Sequence, residues 1–260
     1  MCMNSIGIIG LGTLGTALAS GLHRVQPELE IFATTRARAL PGFVTPSETN
    51  SQLAGQTRNI VLCVKPQQAR AILQEIAPAL SAEHYVISTC AAVSLDVLQA
   101  ALPKVRVARA MPNIACEFNE GITGVAFGAG WPPDARESVL KLFALLGEAL
   151  EIEEHHFDAV TAISGCGPAY VCVITEALSD AGVKAGLPRE VARMMAVQTL
   201  LGSTLLLRNV NEHPAAIRDR VTTPGGCTID ALTQLEEGRF RATLIKAVTT
   251  AAAKSAALSR

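Results

Sequence analysis

Gly10, Gly12 and Gly15 stand in the run GLGTLG, directly after the β-branched stretch Ile6 to Ile9 and before Thr16 to Leu22, which has helical character. That spacing suits the binding of a pyrophosphate. The first glycine permits a tight turn, the second lets an anion approach the backbone, and the third lets a helix pack closely on a strand. Thr13 and Leu14, between the glycines, are expected at the cofactor with them, and the first N–H groups and dipole of the helix that follows favour negative charge. A plain strand–helix turn is the competing reading of these residues; the strand before and the helix after favour dinucleotide binding. Where a carboxylate would bond the ribose 2′-hydroxyl of NAD, the chain carries Thr34, Thr35 and Arg36. An arginine and two hydroxyls suit a 2′-phosphate, so the expected cofactor is NADPH, with NADH a weaker substitute. Arg36 and Arg38 as merely solvated charges are the alternative.

Other chemistries find less support. His155 and His156 are adjacent and cannot share a helix face as an i, i+4 metal pair would, so a solvated helix entry and no metal are expected. Seven cysteines (Cys2, Cys63, Cys90, Cys116, Cys166, Cys172 and Cys227) are odd in number and scattered, with no CxxC pair. Such usage points to a reduced, cytoplasmic protein. The 22 Lys and Arg balance 23 Asp and Glu, and only two Tyr, one Trp and seven Phe are present, which argues against a nucleic-acid partner. A signal peptide is not expected, and no uninterrupted apolar stretch near twenty residues is read, so no membrane partner is expected either.

The elements that must position these groups follow from periodicity. Glu30 to Thr35 closes a βαβ unit with the first strand and helix, of about the usual thirty residues. Ile60 to Val64, Tyr85 to Ser88 and Val105 to Ala108 are further short apolar runs between helical or mixed segments such as Gln67 to Leu80. That alternation predicts a mostly parallel sheet covered by helices. Ile122 to Phe127 offers another strand, and Pro132-Pro133-Asp134 leads into an apolar helix ending near Gly147. From His156 onward the strand signal fades into long helical stretches, in one of which Val191, Met194, Met195, Gln198, Leu201 and Leu205 keep near-helical spacing. With 260 residues and 49% hydrophobic content, the chain divides into an α/β domain over 1–155 and an all-helical domain over 156–260.

Four further segments carry a family resemblance: CVKP (Cys63 to Pro66), RAMPN (Arg109 to Asn113), SGCGPAY (Ser164 to Tyr170) and VTTPGGCTIDAL (Val221 to Leu232). With EALSDAGVKAGLPR between Glu176 and Arg189, their order and spacing resemble pyrroline-5-carboxylate reductase over nearly the whole chain. The resemblance implies a Rossmann-type N-terminal domain and a C-terminal all-helical dimerisation domain. It also implies a homodimer or ring of dimers, and the NADPH-dependent reduction of 1-pyrroline-5-carboxylate to L-proline, the last step of proline synthesis. The family commonly has Ser where Cys166 stands, Ser-Pro-Gly-Gly where this chain has Thr223-Pro224-Gly225-Gly226, and Ala or Thr at Cys227.

On its residues alone, Thr223 to Thr228 is a Pro-Gly-Gly turn entering a helix, with hydroxyls and backbone N–H groups suited to a carboxylate. The resemblance makes it the substrate site, with Thr223, Gly225, Gly226 and Cys227 at the carboxylate and Thr228 beside the ring nitrogen as the catalytic hydroxyl. Val64, Lys65 and Pro66 end a strand at the sheet's ligand edge, and the resemblance lays their backbone along the cofactor. Asn50 aligns, by its distance from CVKP, with an asparagine touching the adenosine side in some family members; a loop or capping role is the alternative. Cys90, Ala91 and Ala92 follow one strand, and Asn113 the next, at the same edge. Two other functions stay open on sequence. A β-hydroxyacid dehydrogenase would rely on a lysine of the helical domain, for which Lys184 is present, and a catalytically silent NADP-binding scaffold would have no need of the Gly225 to Thr228 segment.

Overall fold

The computed structural model describes residues 4–35 and 39–258. In its first part the chain forms β1 (Ser5–Ile9), α1 (Thr13–Val25), β2 (Glu30–Thr34), β3 (Val44–Pro46), α2 (Asn50–Gln56), β4 (Asn59–Leu62), α3 (Pro66–Ile76) and β5 (Tyr85–Ser88). There follow α4 (Leu95–Ala101), β6 (Arg106–Met111), β7 (Gly121–Phe127), α5 (Pro133–Ala144) and β8 (Gly147–Glu151). One sheet takes the order β3-β2-β1-β4-β5-β6-β7-β8. Every neighbouring pair is parallel except β6 and β7.

Adjacent residues of β1 explain why its run is uniformly apolar. Ile8 joins a core cluster with Leu18, Leu22 and Phe143, whereas Ile9 joins a second cluster with Leu53, Leu73 and Val86. Side chains alternate across a strand, so helices cover both faces, as a parallel sheet requires. The order reverses between β1 and β4, where chain growth switches direction. In such sheets that switch point opens a crevice at the carboxyl ends of the strands.

Two strands fall outside the sequence reading. β3 has three residues and ends on Pro46, and a proline normally demotes a strand to an edge, which is where β3 lies. β8 has the sequence GEALE, whose composition favours a helix; pairing with β7 overrides that preference at the other edge.

Beyond β8 the described residues form helices and turns: α6 (Phe157–Val160), a π-type turn at Thr161–Gly165, α7 (Gly167–Lys184), α8 (Arg189–Val210), α9 (Pro214–Arg220), α10 (Cys227–Glu237) and α11 (Phe240–Leu258). Contacts divide the chain into a unit that runs to Pro168 and takes in Thr249 onward, and a second unit, Ala169–Val248. That division lies past the expected change at residue 155. Within the first unit the reason is plain, because Phe157 is buried with Met111 and Ala126 and because Ser255 of α11 donates to Asp158 at 2.6 Å.

Within the second unit, Gly186 (φ +102°) turns the chain just past the end of α7 in a left-handed conformation suited to glycine, and Pro188 caps α8. Only Ala192 and Ala196 of α8 are buried, while Met194, Met195 and Leu201 are exposed. The helical path Glu154–Lys184 is long and apolar enough, by length and composition, to cross a membrane. The π-type turn at Thr161–Gly165 carries that path into α7.

Candidate functional site

The glycine turn is built as its spacing demands. Gly10 has φ +95°, and a Cβ there would lie 2.7 Å from the Cys63 carbonyl oxygen and 2.6 Å from Val64 Cγ1, so neither conformation nor space admits a side chain. At Gly15 a Cβ would fall 2.4 Å from the Gly10 carbonyl oxygen, which is the close helix–strand contact. Gly12 is different. Its φ is ordinary and a Cβ there would meet nothing within 4 Å. The space above Gly12 belongs to the cleft, and Gly12 caps α1 with no side-chain hydrogen bond and no acidic residue in the first turn. The early N–H groups of the helix, with the positive end of its dipole, are therefore available to an anion.

A cleft of about 670 Å³ opens at the carboxyl edge of the sheet. Gly10, Gly12, Thr13, Thr34, Thr35, Asn50, Val64 and Lys65, all expected from sequence, line it together. The backbone ties the parts into one surface. Gly10 and Leu11 N–H both donate to the Thr34 carbonyl at 3.1 Å, and Cys63 N–H donates to that of Ile9 at 2.8 Å. No carboxylate occupies the end of β2, which finishes on Thr34. A dinucleotide fits these features: a bare glycine under the pyrophosphate, a helix entrance facing it and hydroxyls at the ribose end. Arg36, expected at the 2′-phosphate, lies outside the described residues.

Other expected residues have different or additional tasks. Leu14 packs against the core and Gly15 against the strand, so any part they take is through the backbone. Pro66 occupies the first turn of α3, where its missing N–H costs nothing. Cys90 turns inward, 2% exposed, with its thiol 3.1 Å from the Val64 carbonyl oxygen, and so braces the loop after β4. Burial raises the Cys90 thiol pKa and pushes that of Cys63 up to about 12, leaving both as protonated thiols rather than nucleophiles. Ala91 and Ala92 are half-buried, and Ala92 has φ +63°, an uncommon conformation for a residue with a side chain. Asn113 accepts from Ala115 N–H at 3.1 Å and caps a short 3₁₀ turn.

Sequence reasoning missed several residues of this region. Ser47, Glu48, Thr49, Gln68 and Glu75 also line the cleft, brought there by β3, α2 and α3, and no spacing motif marked them. Arg109, first residue of RAMPN, is 6% exposed, ion-paired to Glu154 at 2.8 Å and stacked 4.5 Å over the Phe157 ring. Glu154 also accepts from Leu95 N–H at 2.7 Å, so this pair ties α4 and β6 to the helix entry after β8.

The expected substrate segment lies in the second unit. Thr223 to Gly226 make a turn closed by Gly226 N–H donating to the Thr223 carbonyl at 3.0 Å, and Gly225 sits at φ +68°. A Cβ at Gly226 would strike Thr223 Oγ1, at 2.4 Å. Gly226 caps α10 without a side-chain hydrogen bond, so Cys227 and Thr228 enter the helix with N–H groups free of a side-chain cap; Asp230 is the acidic residue of that turn. Thr228 is half-buried, and among the described residues no hydrogen bond of its hydroxyl is seen. Lys184 is exposed at the end of α7. Among the described residues no group of three or more His, Cys, Asp or Glu side chains gathers as a metal site would require, and His155 and His156 are exposed.

Comparison with known proteins gives two family matches: residues 154–258 to pyrroline-5-carboxylate reductase dimerisation, and residues 5–92 to NADP oxidoreductase, coenzyme F420-dependent. The chain is 36% identical to the pyrroline-5-carboxylate reductase of Synechocystis sp. over 98% of both chains. It is 35% identical to that of Glycine max, covering 98% of this chain and 96% of the relative. Its fold is similar to that of the pyrroline carboxylate reductase of Plasmodium falciparum, solved with NADP bound, at TM-score 0.93 and 32% identity over all of both chains.

Proposed function

The chain belongs to the pyrroline-5-carboxylate reductase family, and from that premise we propose that it reduces 1-pyrroline-5-carboxylate to L-proline with NADPH. The observation that carries this reading is the entrance of α10, an uncapped helix start after a Gly-Gly turn with the Thr228 hydroxyl beside it. That arrangement suits a small carboxylate carrying a ring nitrogen. The carboxylate takes the N–H groups of Gly225, Cys227 and Thr228, with the Thr223 hydroxyl beside them, while the Gly226 N–H, expected to donate as well, closes the turn onto the Thr223 carbonyl. The Thr228 hydroxyl bonds the ring nitrogen and keeps the proton of the imine in place.

NADPH is held by the backbone of Gly10, Gly12, Thr13, Leu14 and Gly15 and by Thr34, Thr35, Asn50 and the Val64-Lys65-Pro66 loop. Ala91 and Ala92, with Cys90 bracing the loop behind them and Asn113 fixing the next turn, leave low relief for the nicotinamide. When bound, the cofactor supplies the hydride that reduces the C=N bond. A protonated cyclic imine is already electrophilic, so the residues act chiefly by holding two reactants in register.

The exposed apolar residues of α8 support assembly through the helical part as a homodimer, or a ring of dimers, since such a face is costly to leave in water. The setting we propose is the cytoplasm, in keeping with the six described cysteines being free thiols. The test is NADPH oxidation on adding pyrroline-5-carboxylate, beside 3-hydroxy acids run in reverse with NADP. Turnover with the imine alone supports the reading; turnover with the hydroxy acids alone overturns it. Arg36→Ala raises KM for NADPH much more than for NADH if the 2′-phosphate is held there.

A further inference from the structure

Three side chains on different elements form a hydrogen-bonded relay in the wall of the cleft: Glu75 of α3, Asn50 at the start of α2 and Thr34 at the end of β2. The chemistry of the groups fixes its direction. A carboxylate only accepts, so the Asn50 group 2.9 Å from Glu75 Oε2 must be the amide nitrogen Nδ2. The amide oxygen Oδ1 is then turned to Thr34, and because it too only accepts, the Thr34 hydroxyl must donate to it, at 2.7 Å. The one proton of that hydroxyl is spent inside the protein. What Thr34 Oγ1 offers the cleft is lone pairs.

Lone pairs welcome a sugar hydroxyl and repel phosphate oxygens. The position matters because the Thr34 carbonyl receives the N–H groups of Gly10 and Leu11, so this hydroxyl is fixed relative to the glycine turn. The relay is itself held, since Ser51 donates to the Glu75 backbone carbonyl at 3.0 Å and ties α2 to α3.

We propose that Glu75 is a positioning and specificity-determining residue for the dinucleotide: acting through Asn50, it sets the Thr34 hydroxyl as an acceptor toward the ribose. This rests on the NADPH reading above and deepens it. The 2′-phosphate then takes its donors from other groups, and Thr34, expected from sequence to welcome that phosphate, is assigned to sugar recognition instead. Glutamine at position 75 can donate as well as accept. In Glu75→Gln the relay can reverse, with the new amide donating to Asn50 Oδ1, Asn50 Nδ2 donating to Thr34, and the Thr34 proton freed for phosphate.

The experiment is calorimetric binding of NADP⁺ and NAD⁺, which differ only in the 2′-phosphate, to the full chain and its Glu75→Gln, Thr34→Val and doubly substituted forms. Glu75 is exposed and glutamine matches it in size, so folding is not at issue. The ratio of the two Kd values shifts toward NADP⁺ by about threefold or more in Glu75→Gln, the worth of one ordinary hydrogen bond. In the Thr34→Val background the same substitution gives no such shift, because no hydroxyl remains to be reversed. An unmoved ratio in Glu75→Gln overturns the relay. So does an equal shift in both backgrounds, which would assign the effect to lost charge alone. If the unsubstituted chain binds neither nucleotide, the cofactor reading fails and the relay with it. Binding with an unmoved ratio sinks only the relay.

Discussion

Gly12→Ala separates cofactor binding from folding better than any other single change in the glycine turn. In the folded chain a Cβ at Gly12 meets no atom within 4 Å, and its φ of −78° is one that alanine adopts freely. The methyl therefore costs the apo protein only the roughly 0.5–1 kcal/mol by which alanine is a poorer helix cap than glycine. Its volume lies where a pyrophosphate must approach the backbone. Crowding a well-packed contact by one methyl costs about 1–3 kcal/mol, and at about 1.4 kcal/mol per tenfold the Kd for NADP⁺ rises about 5- to 150-fold. Gly15→Ala is the control with the opposite signature. Its Cβ would stand 2.4 Å from the Gly10 carbonyl oxygen, so α1 must move off the sheet and stability falls by about 1–3 kcal/mol. Apo thermal unfolding and NADP⁺ calorimetry on both variants give the four numbers needed. Unchanged affinity in Gly12→Ala, or a loss of apo stability matching that of Gly15→Ala, refutes the placement of the pyrophosphate over Gly12.

Three further outcomes follow from the same geometry. Thr228→Ala lowers kcat at least tenfold and leaves the Kd for NADP⁺ within about twofold, with Thr228→Ser recovering most of the loss; steady-state kinetics beside calorimetry decide it, and a parallel loss of cofactor affinity contradicts the role. Glu154→Ala strands the Arg109 guanidinium, 6% exposed over Phe157, and costs about 3 kcal/mol in urea unfolding, the low end for a broken buried pair because Glu154 is partly exposed. Replacing both residues by methionine costs less than that single change, and an equal or larger loss argues against stranded charge as the cause. Burial pushes the Cys116 thiol from 9.0 up to about 12, so the fold holds a proton that the unfolded chain releases. Its stabilising effect is complete below pH 9 and is lost as pH rises from 9 toward 12, by up to about 1.4 kcal/mol per pH unit. Cys116→Ala flattens that decline in unfolding measured between pH 8 and 10.5, and an unaltered slope shows that the decline has another source.

Whether a feature can be read from the sequence depends on whether it is local. GLGTLG between an apolar run and a helix is local: Gly10 makes the tight turn, Gly15 the close helix–strand contact, and Gly12 leaves open space at the cleft. The Pro-Gly-Gly turn into α10 was equally readable. β8 was not, because GEALE pairs with β7 against its own helical preference, and Pro46 hid β3. The Glu75–Asn50–Thr34 relay spans three elements and left no spacing to read. Cys90 and Asn113 follow the carboxyl ends of β5 and β6, yet burial of the thiol and capping by the amide decide what those side chains do there, and no spacing shows either.

Following the hydride itself gives the sharpest test of the proposed reaction. The purified chain is given NADPH deuterated at the transferable C4 position together with pyrroline-5-carboxylate, and the product is read by mass spectrometry and NMR. The expected product is L-proline carrying one deuterium on the ring carbon that had been doubly bonded to nitrogen. Folded, NADP⁺-binding protein that yields no proline, or proline without that label, contradicts the proposal.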